Sequence, residues 1–297
     1  MVRTLLKTFT LFVSIAFAFA GHAWAADKLQ VFVSILPQKF FVEQIGKDLV
    51  DVHVMVEPGA SPETYEPKPR QMVALSKARL YFAIGVPFEK AWLQRIAASS
   101  PGMRIVHTER GIQKIPMSVG PLIKRKDREG EHHDHGVLDP HVWLSPPLVM
   151  MQARNILMAL QEVDAAHHAV YEAKYKAFID KVVDLDEELM GIFAGKRGLQ
   201  FMVFHPAWGY FADAYGLKQI PIEIEGKEST PAELKELIEN ARKHQIKVVF
   251  VQPQFSSKSA EQVAREIGGQ VAFVDPLALN WDENLREVAA KFKASLR

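Results

Sequence analysis

Eleven histidines and no cysteine set the chemistry open to this sequence. Without thiols, the sequence predicts no disulfide, no thiolate metal site, no thiol catalysis and no lipid anchor on an N-terminal cysteine. Most of the histidines read as ordinary polar residues. His22 lies in the leader, His53 in a strand, His107 just after one, and His167, His168 and His244 on helices among polar neighbours. Two stand apart. His141 lies in Asp139-Pro140-His141-Val142-Trp143-Leu144-Ser145-Pro146, where prolines fix the backbone on both sides. His205 follows the apolar run LQFMVF and precedes Pro206. Asp275 likewise follows VAFV and precedes Pro276. In parallel α/β sheets ligands gather at the carboxyl ends of strands, and both residues fall there. An imidazole and a carboxylate converging at such a place suit a divalent metal. Bland readings stand beside these: His205 as a buried histidine at a helix start, and Asp275 as an Asp-Pro turn. Glu63 occupies a similar place after an earlier strand, and taken alone it reads as a solvated loop carboxylate.

The elements that would position these groups alternate. Leu29 to Val33 reads as a strand, Pro37 to Ile45 as a helix and Val50 to Val56 as a second strand. Residues 57–70, EPGASPETYEPKPR, carry four prolines and a glycine and form a rigid loop. A short helix over 71–78 follows, then strands over 79–84 and 104–106 with a helix over 88–98 between them. Residues 111–138 carry charges and histidines without apolar period and read as a surface loop. A helix over 146–162 comes next, and Asp164 is placed to cap another. Tyr171, Tyr175, Phe178, Val182, Leu185, Leu189 and Phe193 recur at intervals of four and three, one apolar stripe on a helix. Over 165–193 that helix would be about 43 Å long, enough to bridge two lobes. Strands over 199–204, 217–222, 247–251 and 271–274 then alternate with helices over 207–215, 230–244, 259–267 and 283–294. Thr230, Pro231 and Glu233 form a capping box. The pattern predicts an α/β fold: two lobes, each a mostly parallel β-sheet flanked by helices, joined by one long rigid helix, with the site in the cleft between them.

The chain has 297 residues, 36 Lys plus Arg against 35 Asp plus Glu, with 48% apolar and 24% charged residues. That is globular composition, and near-neutral charge gives no reason to expect a nucleic-acid partner. Arg3 and Lys7, the apolar run Phe9 to Ala20 and Ala23-Trp24-Ala25 read as an export signal cut after Ala25. The apolar run is too short to span a bilayer, which needs about 20 residues. The expectation is a soluble periplasmic monomer. Its parts are a signal peptide over 1–25, a first lobe over 26–145, a helical segment over 146–194 and a second lobe over 195–297.

Seven motifs occur in one order: PGASPETYEPKPRQMVALSKARL (58–80), GVPFEKAWL (85–93), DPHVWLSP (139–146), FHPAWGYFADAYGL (204–217), EGKESTPAEL (225–234), VFVQPQFS (249–256) and VDPLA (274–278). With them the chain resembles the zinc/manganese-specific substrate-binding proteins of ABC importers, most like the zinc-uptake branch. The resemblance implies two α/β lobes bridged by a backbone helix, and metal captured in the cleft for an ABC permease of the inner membrane. It implies Zn²⁺ as the transported ion, with Mn²⁺ or Fe²⁺ as alternatives. It places ligands at His141, His205 and Asp275. A first ligand, histidine in the family pattern PG-x-x-P-H-x-Y/F-E-P, falls on Glu63.

That replacement alters the site. Three neutral histidines and one carboxylate leave a divalent ion with net charge +1, whereas Glu63, His141, His205 and Asp275 bring it to zero, which is easier to bury. Oxygen donors also move preference from zinc toward manganese or iron. The run EHHDH (131–135) lies where zinc members carry a histidine-rich loop, and His132, His133 and His135 read as an accessory metal collector. Glu223 and Glu225 lie near the third ligand motif, where a carboxylate can orient a ligand histidine. Two readings of other classes use the same residues: a zinc hydrolase with Glu63 as general base, and a surface adhesin with structural metal. Neither HExxH, GxSxG nor a Walker pattern is present.

Overall fold

The computed structural model describes residues 28–117, 137–223 and 229–296. The expected leader, His132, His133, His135 and Glu225 lie outside the described residues.

The first sheet contains β1 (Leu29–Val33), β2 (Val50–Val54), β3 (Leu80–Ala83) and β4 (Arg104–His107) in the order β2-β1-β3-β4, all parallel. The second contains β5 (Gln200–Val203), β6 (Lys218–Pro221), β7 (Val248–Val251) and β8 (Gln270–Phe273) in the order β6-β5-β7-β8, again parallel. The two orders are the same. In each sheet the first strand is central and the chain changes direction beside it, so each carboxyl edge opens a crevice. The central strands are buried on both faces, which explains their nearly unbroken apolar runs.

In the first lobe the crossings are α1 (Leu36–Gly46), α2 (Pro69–Leu75) and α3 (Pro87–Ser99). Then α4 (Pro146–Val163) and α5 (His168–Phe193) pack as a pair. The second lobe uses α6 (Gly209–Ala214), α7 (Pro231–Lys243), α8 (Lys258–Glu266) and α9 (Trp281–Ser295). The capping box on α7 forms as its sequence requires: Glu233 N donates to Thr230 Oγ1, and Thr230 N donates to Glu233 Oε2 at 2.7 Å.

The long helix packs on both lobes, against α1 of the first and α9 of the second. Its stripe is buried at Tyr171, Phe178, Val182, Leu185, Leu189 and Phe193. Its start differs from the expectation. Residues Ala165–His167 form a 3₁₀ turn, and the α-helix begins at His168. Asp164 makes no side-chain cap. Its carboxylate instead accepts from His167 Nδ1 and from the Tyr171 hydroxyl at 2.6 Å.

One apolar core runs from the first sheet through α4 and α5 into the face of the second sheet that α9 covers. Where the lobes meet, Phe41 of α1, Phe178 of α5 and Trp281 of α9 pack ring on ring, with Phe41 and Trp281 at 5.1 Å edge to face. A separate apolar cluster fills the other face of the second sheet, beneath α7 and α8. A shared core resists a wide hinge, because opening it would expose large aromatic area to water. Among the described residues no helix is long and apolar enough to cross a membrane.

Candidate metal centre

His205 follows β5 at the carboxyl edge of the second sheet, as its sequence position predicts. The strand pairing continues one residue, with Phe204 N donating to Phe250 O at 2.8 Å. Gln252, fully buried, then grips His205 on both sides: its Nε2 donates to His205 O at 2.8 Å and its Oε1 accepts from His205 N at 3.4 Å. Phe255 stacks on the imidazole at 4.8 Å. Each ring nitrogen faces a carboxylate. Nδ1 lies 3.2 Å from Glu223 Oε2 and Nε2 lies 2.9 Å from Glu63 Oε1. Burial by itself would lower the His205 pKa, but hydrogen bonds to Glu223 and Glu63 and their charges outweigh it and raise the value to about 9. Glu63 shows the reciprocal effect. Burial pushes it up, while the hydrogen bond and charge of His205, with His141 adding charge, bring it below its ordinary value.

His141 comes from the segment before α4. Asp139, with no exposed surface, accepts through Oδ1 from His141 N at 2.9 Å and pairs with His141 Nδ1 at 2.7 Å. That contact places the ring proton on Nδ1 and leaves the Nε2 lone pair free to bind a metal. The His141 and His205 rings meet edge to face at 5.3 Å. The segment lies within residues 26–145, yet it bonds to elements of the second lobe. Tyr210 OH donates to Asp139 O at 2.9 Å, Trp143 Nε1 to Pro276 O at 2.7 Å, and Trp281 Nε1 to Trp143 O at 2.7 Å. The ends of the preceding loop pair through Pro116 and Leu138.

Glu63 is carried by the proline-rich loop of the first lobe. Glu57 binds both Lys68 and Arg70, which closes the base of that loop. Gln71, a buried residue at the start of α2, accepts from Lys68 N and the Tyr65 hydroxyl and donates to Met55 O. Gly59, at φ +82°, makes the reversal that a side chain would strain. The loop thereby brings the Glu63 carboxylate across the cleft to His205.

Glu63, His141 and His205 line one pocket of about 20 Å³, with Ser61, Pro62, Trp143, Phe255 and Leu277 around it. That space takes a single water-sized particle. Glu63, His205 and Glu223 each offer a ligand atom, and these atoms lie within 4.8 Å of one another. Asp275 lines an adjoining cavity of about 480 Å³ that shares Gln254 and Leu277 with the small pocket. Its Oδ1 accepts from Leu277 N at 2.9 Å and from Gln254 Nε2 at 3.0 Å. Three groups escaped sequence reasoning. Asp139 precedes His141 by two residues and looks like a turn former. Gln252 reads as a loop glutamine after a strand. Tyr210 reads as one more apolar face of a short helix. A buried polar residue beside a site histidine is the signal they share.

Comparison with known proteins identifies the family. A family profile for the periplasmic zinc-uptake complex component A, ZnuA, matches residues 31–293. The high-affinity zinc uptake system protein ZnuA of Bacillus subtilis is 32% identical over 262 residues, covering 84% of this chain and 79% of that protein. The iron-binding protein YfeA of Yersinia pestis is 30% identical over 263 residues, with coverage of 85% and 79%. The solved structure of a ZnuA deletion mutant with zinc bound superposes with a TM-score of 0.82 at 43% identity, covering 91% of this chain and 98% of the other.

Proposed function

We propose a division of labour among the residues of this chain, which belongs to the periplasmic zinc-uptake complex component A family. Members are the metal-binding components of ABC-type zinc uptake systems, and this chain is one of them. They bind and hand on metal and are not enzymes, which removes the hydrolase reading.

In this reading the cargo is Zn²⁺, held by His141 Nε2, His205 Nε2 and the Glu63 carboxylate. Asp275 supplies the fourth donor through Oδ2, because Oδ1 is engaged with Leu277 N and Gln254 Nε2. Asp139 and Glu223 hold the two rings by their Nδ1 atoms and keep both Nε2 lone pairs toward the pocket. Two neutral imidazoles and two carboxylates cancel the charge of a divalent ion, and four N/O donors suit tetrahedral zinc. The oxygen donors leave Mn²⁺ and Fe²⁺ as competitors, and the iron-binding relative fits that range.

The chain works in the periplasm after removal of residues 1–25, collects metal with His132, His133 and His135, and delivers it to an inner-membrane ABC permease. The shared apolar core favours release by withdrawal of the Glu63 loop over a wide separation of lobes. The observation that carries the reading is the convergence of Glu63, His141 and His205 on one ion-sized pocket. Calorimetric zinc titration of His141→Ala and His205→Ala tests it. Each variant is expected to lose zinc affinity by more than about 100-fold, beyond the cost of losing a supporting group. Wild-type affinity in either one overturns the assignment.

A further inference from the structure

Beneath His141 two buried polar atoms lack a hydrogen-bond partner among the described residues. Asp139 spends Oδ1 on His141, while Oδ2 receives no donor from the described residues. Gln219, on β6 and nearly without exposure, accepts at Oε1 from Trp208 N at 2.7 Å. That bond fixes the amide orientation, so Nε2 must be the other end, and Nε2 also finds no acceptor. Both orphans face the same glycine. A Cβ on Gly209 would lie 2.6 Å from Asp139 Oδ2 and 3.9 Å from Gln219 Nε2. Buried carboxylate oxygens and amide donors are almost always paired, and each one left bare is costly.

We propose that one buried water sits against the bare Cα of Gly209, donating to Asp139 Oδ2 and accepting from Gln219 Nε2. This makes Gln219 and Gly209 positioning residues for the metal site. The chemistry matches at both ends: the carboxylate oxygen only accepts, the amide nitrogen only donates, and water does both. The consequence reaches the pocket through Asp139. With Oδ2 satisfied in place, the carboxylate has no reason to turn away from the ring, and Oδ1 stays on His141 Nδ1. Without the water, Asp139 gains by rotating toward another donor, and the tautomer and aim of His141 loosen. A methyl group on Gly209 would fill the space and press on Oδ2. The second lobe would thereby set the aim of a histidine from the segment that precedes α4.

The inference rests on His141 being a ligand, and the test separates the two. Zinc titrations are run on the full mature protein with Gln219→Leu, Gly209→Ala and Asp139→Asn, singly and in pairs, together with His141→Ala. Gln219→Leu and Gly209→Ala are each expected to weaken zinc binding about 10-fold to 100-fold, the range for groups that support a ligand. Placed on Asp139→Asn they should add little, because they act through that carboxylate. A high-resolution crystal structure should show one water within hydrogen-bond distance of Asp139 Oδ2 and Gln219 Nε2. The proposal is overturned by a direct Asp139–Gln219 hydrogen bond, by an empty space at Gly209, or by losses that add in full on Asp139→Asn. If Gly209→Ala does not fold, Gln219→Leu and the crystal structure decide alone. If His141→Ala binds zinc normally, the ligand reading itself falls. Loss in His141→Ala with wild-type affinity in Gln219→Leu sinks only the water.

Discussion

The two imidazoles and the first-lobe carboxylate are held by different kinds of structure. His205 is gripped along its backbone by Gln252, stacked by Phe255 and bonded at Nδ1 by Glu223. His141 is fixed by Asp139, and its segment is tied to the second lobe by Tyr210, Trp143 and Trp281. Nearly all of these groups are buried. Glu63 lies on a loop stapled at its base, and its carboxylate makes its ion pair with His205. In the proposed site the histidines form a frame held by several buried groups, and Glu63 is held through one ion pair from the other lobe. A carrier needs both parts. In the proposed reading the frame would supply affinity, and the group with fewest partners would be the first to let go.

Alanine substitutions on the two sides should expose this difference most visibly. His205→Ala is expected to reduce zinc affinity by more than about 100-fold, since even a supporting group costs up to that much. Glu63→Ala should cost less and act mainly on the dissociation rate. Stopped-flow release into a fluorescent chelator measures both. Equal losses in the two variants would contradict the division.

Glu223→Gln is the next largest. It keeps the shape but removes the charge behind His205, so zinc affinity should fall by about 10-fold to 100-fold. Competition titration against a chelator of known affinity reads the change.

Glu63→His tests the closing ligand for selectivity. A softer donor should raise preference for zinc over manganese by roughly tenfold, about 1.4 kcal/mol. A titration of zinc against manganese with no change in their ratio counts against Glu63 as a ligand.

Protons add a graded effect that any variant comparison must hold fixed. Metal-free His205 holds its proton up to about pH 9, and zinc must displace it from Nε2. Apparent affinity should therefore rise about tenfold per pH unit from neutrality toward that value, with about one proton released. Calorimetry in buffers of differing ionisation enthalpy counts the proton. The stability of the metal-free fold runs the other way. The raised pKa contributes in full below the ordinary value of 6.5, and the contribution is lost as pH climbs through about 9. The Tm of the zinc-free protein should fall across that window, and the Glu223→Gln variant should show a weaker fall.

Much of the fold was legible in sequence because its signals are local. The eight strands are short apolar runs bounded by turn residues, and β1 begins and ends where the pattern places it. The α7 capping box is written in three residues. Asp164 shows where local reading fails. It has the right type for a cap, but His167 and Tyr171 compete for its oxygens and win. The site divides in the same way. The places of His205 and Asp275 at the carboxyl ends of β5 and β8 were legible, because a parallel sheet fixes where its strands end, but that Asp275 lines a neighbouring cavity rather than the small pocket was not. Glu63 was not, since a proline-rich loop does not reveal which side chain crosses the cleft. It rested on the family pattern until the carboxylate was found 2.9 Å from His205 Nε2. The ties of His141 to the second lobe join residues 71 and 133 positions apart, and no spacing rule reports such pairs.

The central claim is that a cation sits between a histidine pair fixed on one side and Glu63 arriving from the other. An anomalous-difference map at the zinc edge, from crystals of the zinc-loaded protein, tests it most directly. The account predicts one strong peak about 2.0–2.2 Å from His141 Nε2, His205 Nε2 and a Glu63 carboxylate oxygen. A peak elsewhere, or one at the two imidazoles with Glu63 turned out to solvent, would contradict it.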